Sequence, residues 1–208
     1  MSDAIKEFVH KGLIVKIFHD EDCESPRIWE NSTTMVCFHK NYDLGDKHDY
    51  NEPTTSWEQV KNEIIKRNKG GVIILPIYLY DHSGITISTK PFQCKFDSGQ
   101  IGFIFIAKKD ARKIYGPLGK KQISQAYKLL EADVEIYDMY IRGEYYRFEV
   151  TDNDDNLVDS CGGYLGFENA ENDAMESAEL HAEIMNLQDA TKIREELELQ
   201  GQLTFDFQ

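Results

Sequence analysis

Basic residues are scarce where the chain is most acidic. Residues 131–208 hold 4 basic side chains against 21 acidic ones, a net of −17, whereas residues 1–130 hold 19 against 16, a net of +3. The overall charge of −14 is therefore carried by the last 78 residues of 208. A nucleic-acid duplex carries one negative charge per about 1.7 Å of its axis, so this portion is a poor surface for docking on nucleic acid and a reasonable one for imitating it. Direct nucleic-acid binding is accordingly not expected.

Long apolar runs are also missing. No stretch approaches the roughly 18 residues that would span a bilayer, and the N-terminus shows no basic region followed by an apolar one. The sequence reads as a soluble cytoplasmic protein. Cysteine is sparse: Cys23, Cys37, Cys94 and Cys161 are dispersed, with no Cys-x-x-Cys, which suits free thiols in a reducing compartment. No repeat of 20–50 residues is visible, which disfavours solenoids and propellers. There is no Walker motif, no dinucleotide fingerprint and no His-Glu-x-x-His, so no cofactor is expected.

What is present reads as α+β. Residues 13–18, 33–39, 72–80, 84–89 and 102–107 are β-branched and aromatic runs bounded by polar clusters, with 72–80 the most apolar and placed as a central strand. Ser56 offers an N-cap to a helix carrying Trp57, Val60, Ile64 and Ile65 up to Lys69-Gly70-Gly71. A short helix is predicted over 110–115 and a long one over 121–140, with Ile123, Tyr127, Leu130, Val134 and Tyr137 on one stripe. Residues 145–150 and 157–161 form a hairpin around Asp152-Asn153-Asp154-Asp155-Asn156. The expected architecture is a mostly antiparallel sheet with two or three helices over residues 1–165. An acidic helical extension follows over 166–201, with Ile184, Leu187, Ile193 and Leu197 as a thin apolar stripe. Gly201 ends it, leaving 202–208 as an exposed apolar tail.

The densest polar cluster, Asp81-His82-Ser83, follows the most apolar strand. A strand end holds such groups rigidly while its loop exposes them. As an enzyme, perhaps a hydrolase, the chain would use His82 as base and Ser83 or Cys94 as nucleophile, with Asp81 or His39 nearby. A local turn in which Asp81 and Ser83 satisfy backbone donors explains the same residues. Cys37, His39, His82 and Cys94 are the zinc candidates if their strands are adjacent, but the two tight ligand pairs of a structural site are lacking. Asp97-Ser98-Gly99-Gln100-Ile101-Gly102 precedes a β run, so it reads as a hairpin turn and not as a phosphate cradle. Lys108, Lys109, Arg112, Lys113, Lys120 and Lys121 form a basic cluster, able either to bind phosphates or to pair with the acidic segment. Glu131, Asp133, Glu135 and Asp138, then Asp152, Asp154, Asp155 and Asp159, are the carboxylates spaced to stand in for phosphates toward a DNA-binding cleft.

Two resemblances add a setting. Residues 75–89, from Leu75-Pro76-Ile77 through Asp81-His82-Ser83-Gly84 to Thr89, continue through Pro91-Phe92 and Cys94 to 97–104. With Thr34-Met35-Val36-Cys37, His39, Tyr42 and Asp159-Ser160-Cys161-Gly162, they resemble small uncharacterised proteins of bacteriophages and mobile elements. The likeness covers roughly residues 25–165. It implies a phage or mobile-element setting, in which a small acidic protein is often an inhibitor of a host defence nuclease, of the anti-CRISPR or anti-restriction kind. The tail Gln202-Leu203-Thr204-Phe205-Asp206-Phe207 is similar to the peptide by which bacterial replication proteins dock on the sliding clamp, with phenylalanine at 205 and 207 where that pattern has leucine. It implies Gln202 fixing register and Leu203, Phe205 and Phe207 entering apolar pockets. The sequence thus favours an inhibitor or modulator of a host nucleic-acid-processing or defence complex, with a hydrolase-like enzyme and a clamp-recruited replication accessory as alternatives.

Overall fold

The computed structural model describes residues 3–205, and the side chains within that span except those of 190, 194 and 197–205. Its chain divides into two compact units, one made of residues 24–143 and the other of residues 1–23 with 144–208. This differs from the expected division, since the C-terminal helix shares a unit with strands from both ends of the chain. The charge follows the units: residues 24–143 carry 17 basic and 15 acidic side chains, a net of +2, and the remainder 6 and 22, a net of −16.

In the unit of residues 24–143, strands β3 (Thr34–Cys37), β4 (Val72–Asp81), β5 (Ile85–Ser88) and β6 (Ser98–Ala107) form an antiparallel sheet in the order β3-β6-β4-β5. Side chains alternate across a sheet with a period of two, and both faces here are apolar. Met35, Ile73, Ile77, Ile104 and Ile106 meet Ala126, Leu130, Val134 and Tyr137 of helix α3 (Lys120–Ile141). The alternate residues Val36, Phe103 and Phe105 meet Val60 and Ile64 of helix α1 (Trp57–Arg67). Helices therefore cover both faces, which is why the strands read as continuous apolar runs. Tyr127, expected on the buried stripe of α3, is 39% exposed, and Ala126 takes its place at 0%. Helix α2 (Lys108–Tyr115) follows β6 directly.

Two local features shape this sheet. Pro76 pairs with Phe103 in a part of β4 that β5 does not reach, since β5 pairs only from Tyr78 to Asp81. The proline's missing donor is thus tolerated within an interior strand. Gly102 lies so close to β3 that a Cβ there would fall 1.9 Å from the Val36 carbonyl oxygen. The expected turn at 97–102 is mostly strand, with a register irregularity opposite Ile77 and Tyr78.

In the other unit, β1 (Lys6–His10), β2 (Leu13–His19), β7 (Tyr145–Thr151) and β8 (Leu157–Leu165) form an antiparallel sheet in that order, and helix α4 (Phe167–Phe205) packs on it. Strand β1 was not legible from pattern alone. Its signal is Lys11-Gly12, with φ of 52° and 86°, the left-handed pair that a two-residue hairpin requires. Helix α4 packs through Ala170, Ala174 and Ala178, each 0% exposed, with Ala182 and Met185 beside them. The expected stripe is instead on the surface: Ile184, Leu187 and Ile193 are 40%, 69% and 57% exposed, and the side chain of Leu197 lies outside the described residues. Small residues at i, i+4 spacing bring the helix close to the sheet, and large ones would hold it off. The helix passes through Gly201 to Phe205, so that glycine does not end it, and the backbone at Gln202, Leu203 and Phe205 is helical where an extended tail was expected. The side chains of these three, and Phe207 altogether, lie outside the described residues.

Candidate functional site

Strand β4 delivers Asp81 to the end of its sheet, and the chain turns back through His82, Ser83 and Gly84 into β5. The His82 N–H donates to the Gly84 carbonyl at 3.0 Å, while Ser83 holds a left-handed backbone, φ 59°. Ser83 thus serves the turn. The Asp81 N–H donates to the Asp97 carbonyl at 2.8 Å, fastening the end of β4 to the segment that carries Cys94.

Sequence-distant groups converge there. The Cys94 thiol donates to Asp97 Oδ2 at 3.4 Å, and His82 Nδ1 stands 3.8 Å from the same oxygen. The Ser98 hydroxyl donates to the Cys94 carbonyl. Tyr42 donates to Asp81 Oδ2 at 3.2 Å. Lost hydration, and secondarily this bond to a carboxylate, raise the Tyr42 phenol above its ordinary range. His39 stacks on Tyr42 with centroids 4.8 Å apart, and the Tyr80 ring contacts those of His82 and Phe92. An open groove of about 560 Å³ runs past His39, Asp81, Asp97 and the fully exposed Phe96.

The structure thus gathers Asp81, His82, Cys94 and His39, and adds Tyr42 and Asp97, which sequence reasoning had not marked as chemical. Asp97 Oδ2 accepts from the Cys94 thiol and lies within ion-pair range of His82. The thiol's hydrogen bond goes to this carboxylate, whereas thiol catalysis needs it directed at an imidazole base. His82 is 65% exposed and Asp97 42%, an arrangement open to solvent.

The four zinc candidates are not gathered into one ligand set among the described residues. Cys37 faces the core at 8% exposure, and its thiol is pushed up to about 12 by burial first and by Asp46 second, against a smaller opposing effect of Arg27. His39 Nδ1 accepts from the Asn41 N–H at 3.3 Å. Among the described residues, no group of three or more His, Cys, Asp or Glu side chains is placed to hold a metal ion.

The sequence-selected carboxylates divide into two sets. Asp133 accepts from the Thr33 hydroxyl and lies 3.9 Å from Arg27. Asp138 accepts from the Thr86 hydroxyl and the Ile87 N–H, both at 2.7 Å. Asp152 accepts from the N–H groups of Asp154 and Asn156, each at 2.9 Å. The side-chain amide of Asn156 donates to Asp152 as well and, with the backbone donors, holds its carboxyl below the usual range. Asp159 accepts from the Ser177 hydroxyl. These four serve the fold. Glu131 is half-buried, Glu135 and Asp154 are exposed, and Asp155 pairs with Lys16 at 3.4 Å.

Helix α4 supplies the carboxylates expected of the acidic C-terminal helix. Glu171 pairs with Lys6. Glu179 pairs with His10 and Lys11, which hold its carboxyl below the usual range. Glu176, Glu183, Asp189, Glu195 and Glu196 lie on the exposed surface. Comparison with family profiles, curated proteins and solved structures returns no match.

Proposed function

We propose that the protein is a non-enzymatic binding module. The carboxylates of its acidic unit dock on the basic nucleic-acid-binding cleft of a host defence or nucleic-acid-processing complex, in the manner of a DNA mimic. One observation carries this reading: a net of −16 is confined to one unit, and a run of its carboxylates lies along the exposed surface of α4. Concentrated like charge opposes compaction and steers a partner of opposite sign over long range. The phage and mobile-element resemblance supplies the setting, in which such a surface blocks a nuclease or its relatives. The engaged carboxylates Asp133, Asp138, Asp152 and Asp159 hold the fold in this account, and the α4 carboxylates with Asp154 of the same unit face the partner. The test is affinity for the captured partner at low and high salt. The account expects a steep loss as ionic strength rises.

A second reading rests on the convergence of His82 and Cys94 on Asp97 beside an open groove. A small hydrolase-like activity would use Cys94 as nucleophile and His82 as base, with Asp97 orienting both. Substitution of His82 separates this reading from the first.

A further inference from the structure

The unit with nearly balanced charge is not uniform over its surface. Helix α1 ends in Lys66 and Arg67, and Lys69-Gly70-Gly71 leads into β4; β6 runs straight into α2, which opens with Lys108-Lys109. These segments lie about forty residues apart in sequence and meet because β4 and β6 pair along their length, Val72 opposite Ala107. The Lys108 N–H donates to the Gly71 carbonyl at 3.0 Å. The Lys108 side chain lies over Gly71, its Cδ 3.4 Å from where a Cβ would stand. A cavity of about 240 Å³ opens at this junction, lined by Arg67, Lys69, Lys109 and the backbone of Gly70 and Gly71.

We propose that this junction, continued by Arg112 and Lys113 one turn along α2, is a docking surface for the phosphate backbone of a nucleic-acid duplex. Arg112 and Lys113 lie at i+3 and i+4 from Lys109, so they share a helix face with it. The two segments, 66–71 and 107–113, hold seven cations and one carboxylate, Asp110. Asp110 is taken up by Lys113 at 2.8 Å. Arg67 is held by Asp49 and Glu63, which fixes it at the cavity wall. In sequence the basic cluster of α2 could equally bind phosphates or pair with the acidic segment; folding adds the end of α1 to it. Ala107 precedes helix α2 as its N-cap and offers no side-chain hydrogen bond, so the first N–H groups of the helix add to the positive field. No aromatic ring lines the cavity, which points to backbone contact with a duplex and away from base stacking on a single strand. At physiological salt charges act over about 8 Å, so a phosphate responds more to its local surroundings than to the net charge of −14.

The test is fluorescence anisotropy of the full chain with a labelled duplex of about 20 base pairs, between about 0.1 M and 0.3 M salt. Micromolar or weaker binding is expected, falling linearly in log–log form with salt. The exposed pair Lys69→Glu and Lys109→Glu should weaken it at least tenfold, and the milder Lys69→Gln and Lys109→Gln should lower the salt slope by about 0.9 per lost contact. Lys90→Glu with Lys95→Glu, elsewhere on the same unit, should leave it unchanged. Circular dichroism on each variant confirms that the fold is kept. No duplex binding by the wild type, or equal losses in both charge-reversed pairs, would overturn the proposal. So would self-association abolished by Lys69→Glu and Lys109→Glu without any duplex binding, because the surface would then take the acidic face of a second copy.

Discussion

Arg27 and Asp46 form a two-point ion pair, Nε to Oδ1 and Nη2 to Oδ2, both at 2.8 Å, with the Arg27 side chain 4% exposed. The guanidinium also donates to the Thr33 carbonyl at 3.1 Å, and Asp46 accepts from the Met35 N–H at 2.8 Å. One buried cation thus pins the long loops around β3 to the edge of the sheet that carries the candidate site. Removing one partner of a buried pair strands the other. Arg27→Met should destabilise folding by about 3–5 kcal/mol. Adding Asp46→Asn, which keeps an acceptor for the Met35 N–H but removes the stranded charge, should recover part of the loss. Urea unfolding of the two variants checks this; purely additive losses would contradict it.

Thiol reactivity should separate the cysteines by burial. Cys161 is exposed and Cys37 buried, so a thiol reagent at pH 8 should label Cys161 rapidly and reach Cys37 only on unfolding. The folded pKa of Cys37, about 12, lies above that of a free thiol, about 8.5. Its contribution to stability is therefore complete below about pH 8.5 and is lost as pH rises toward 12. Urea midpoints at pH 7 and pH 10 should differ less in Cys37→Ala than in the wild type.

Helix α4 offers a contrast between small and large side chains. Ala174→Leu places extra atoms where the helix meets the sheet and should cost about 1–3 kcal/mol. Leu187→Ser, on the exposed side, should change stability by no more than about 0.5 kcal/mol. Thermal unfolding of both variants measures the difference; a larger loss for Leu187→Ser would restore the large-residue stripe as the packing face.

For a binding module, His82→Ala is silent: the side chain is 65% exposed, so the fold and partner capture should be unchanged. Hydrolysis of activated esters by the wild type, abolished in a folded His82→Ala variant, would favour the enzyme reading.

Much of this was legible in the sequence. The strands at 13–18, 33–39 and 72–80 and the helices that start after Ser56 and near Lys121 follow from period and turn chemistry, although the Ser56 side chain makes no capping bond, and Asp81-His82-Ser83 does stand at the end of an apolar strand. What escaped depends on contacts across the chain. Nothing local pairs Arg27 with Asp46 or Asp133, places Tyr42 against Asp81, or joins Lys69 to Lys109. Local pattern also favoured Ile184, Leu187 and Ile193 over the alanines of α4, because apolar bulk was taken as the mark of a packing face when close approach to the sheet calls for small residues. The regular spacing of Asp133, Asp138, Asp152 and Asp159 did not reveal that hydroxyl and amide donors elsewhere in the fold occupy their oxygens.

The central claim is that the exposed carboxylates of the acidic unit carry the docking. Its most direct test is capture of a partner from a bacterial lysate by the wild type and by a Glu176→Gln, Glu183→Gln, Asp189→Gln variant, each eluted with rising salt. The account predicts that the wild type retains a basic nucleic-acid-binding protein at about 0.1 M salt and releases it as screening shortens below about 10 Å, and that the variant retains much less. Equal retention by both proteins, unmoved by salt, would contradict it.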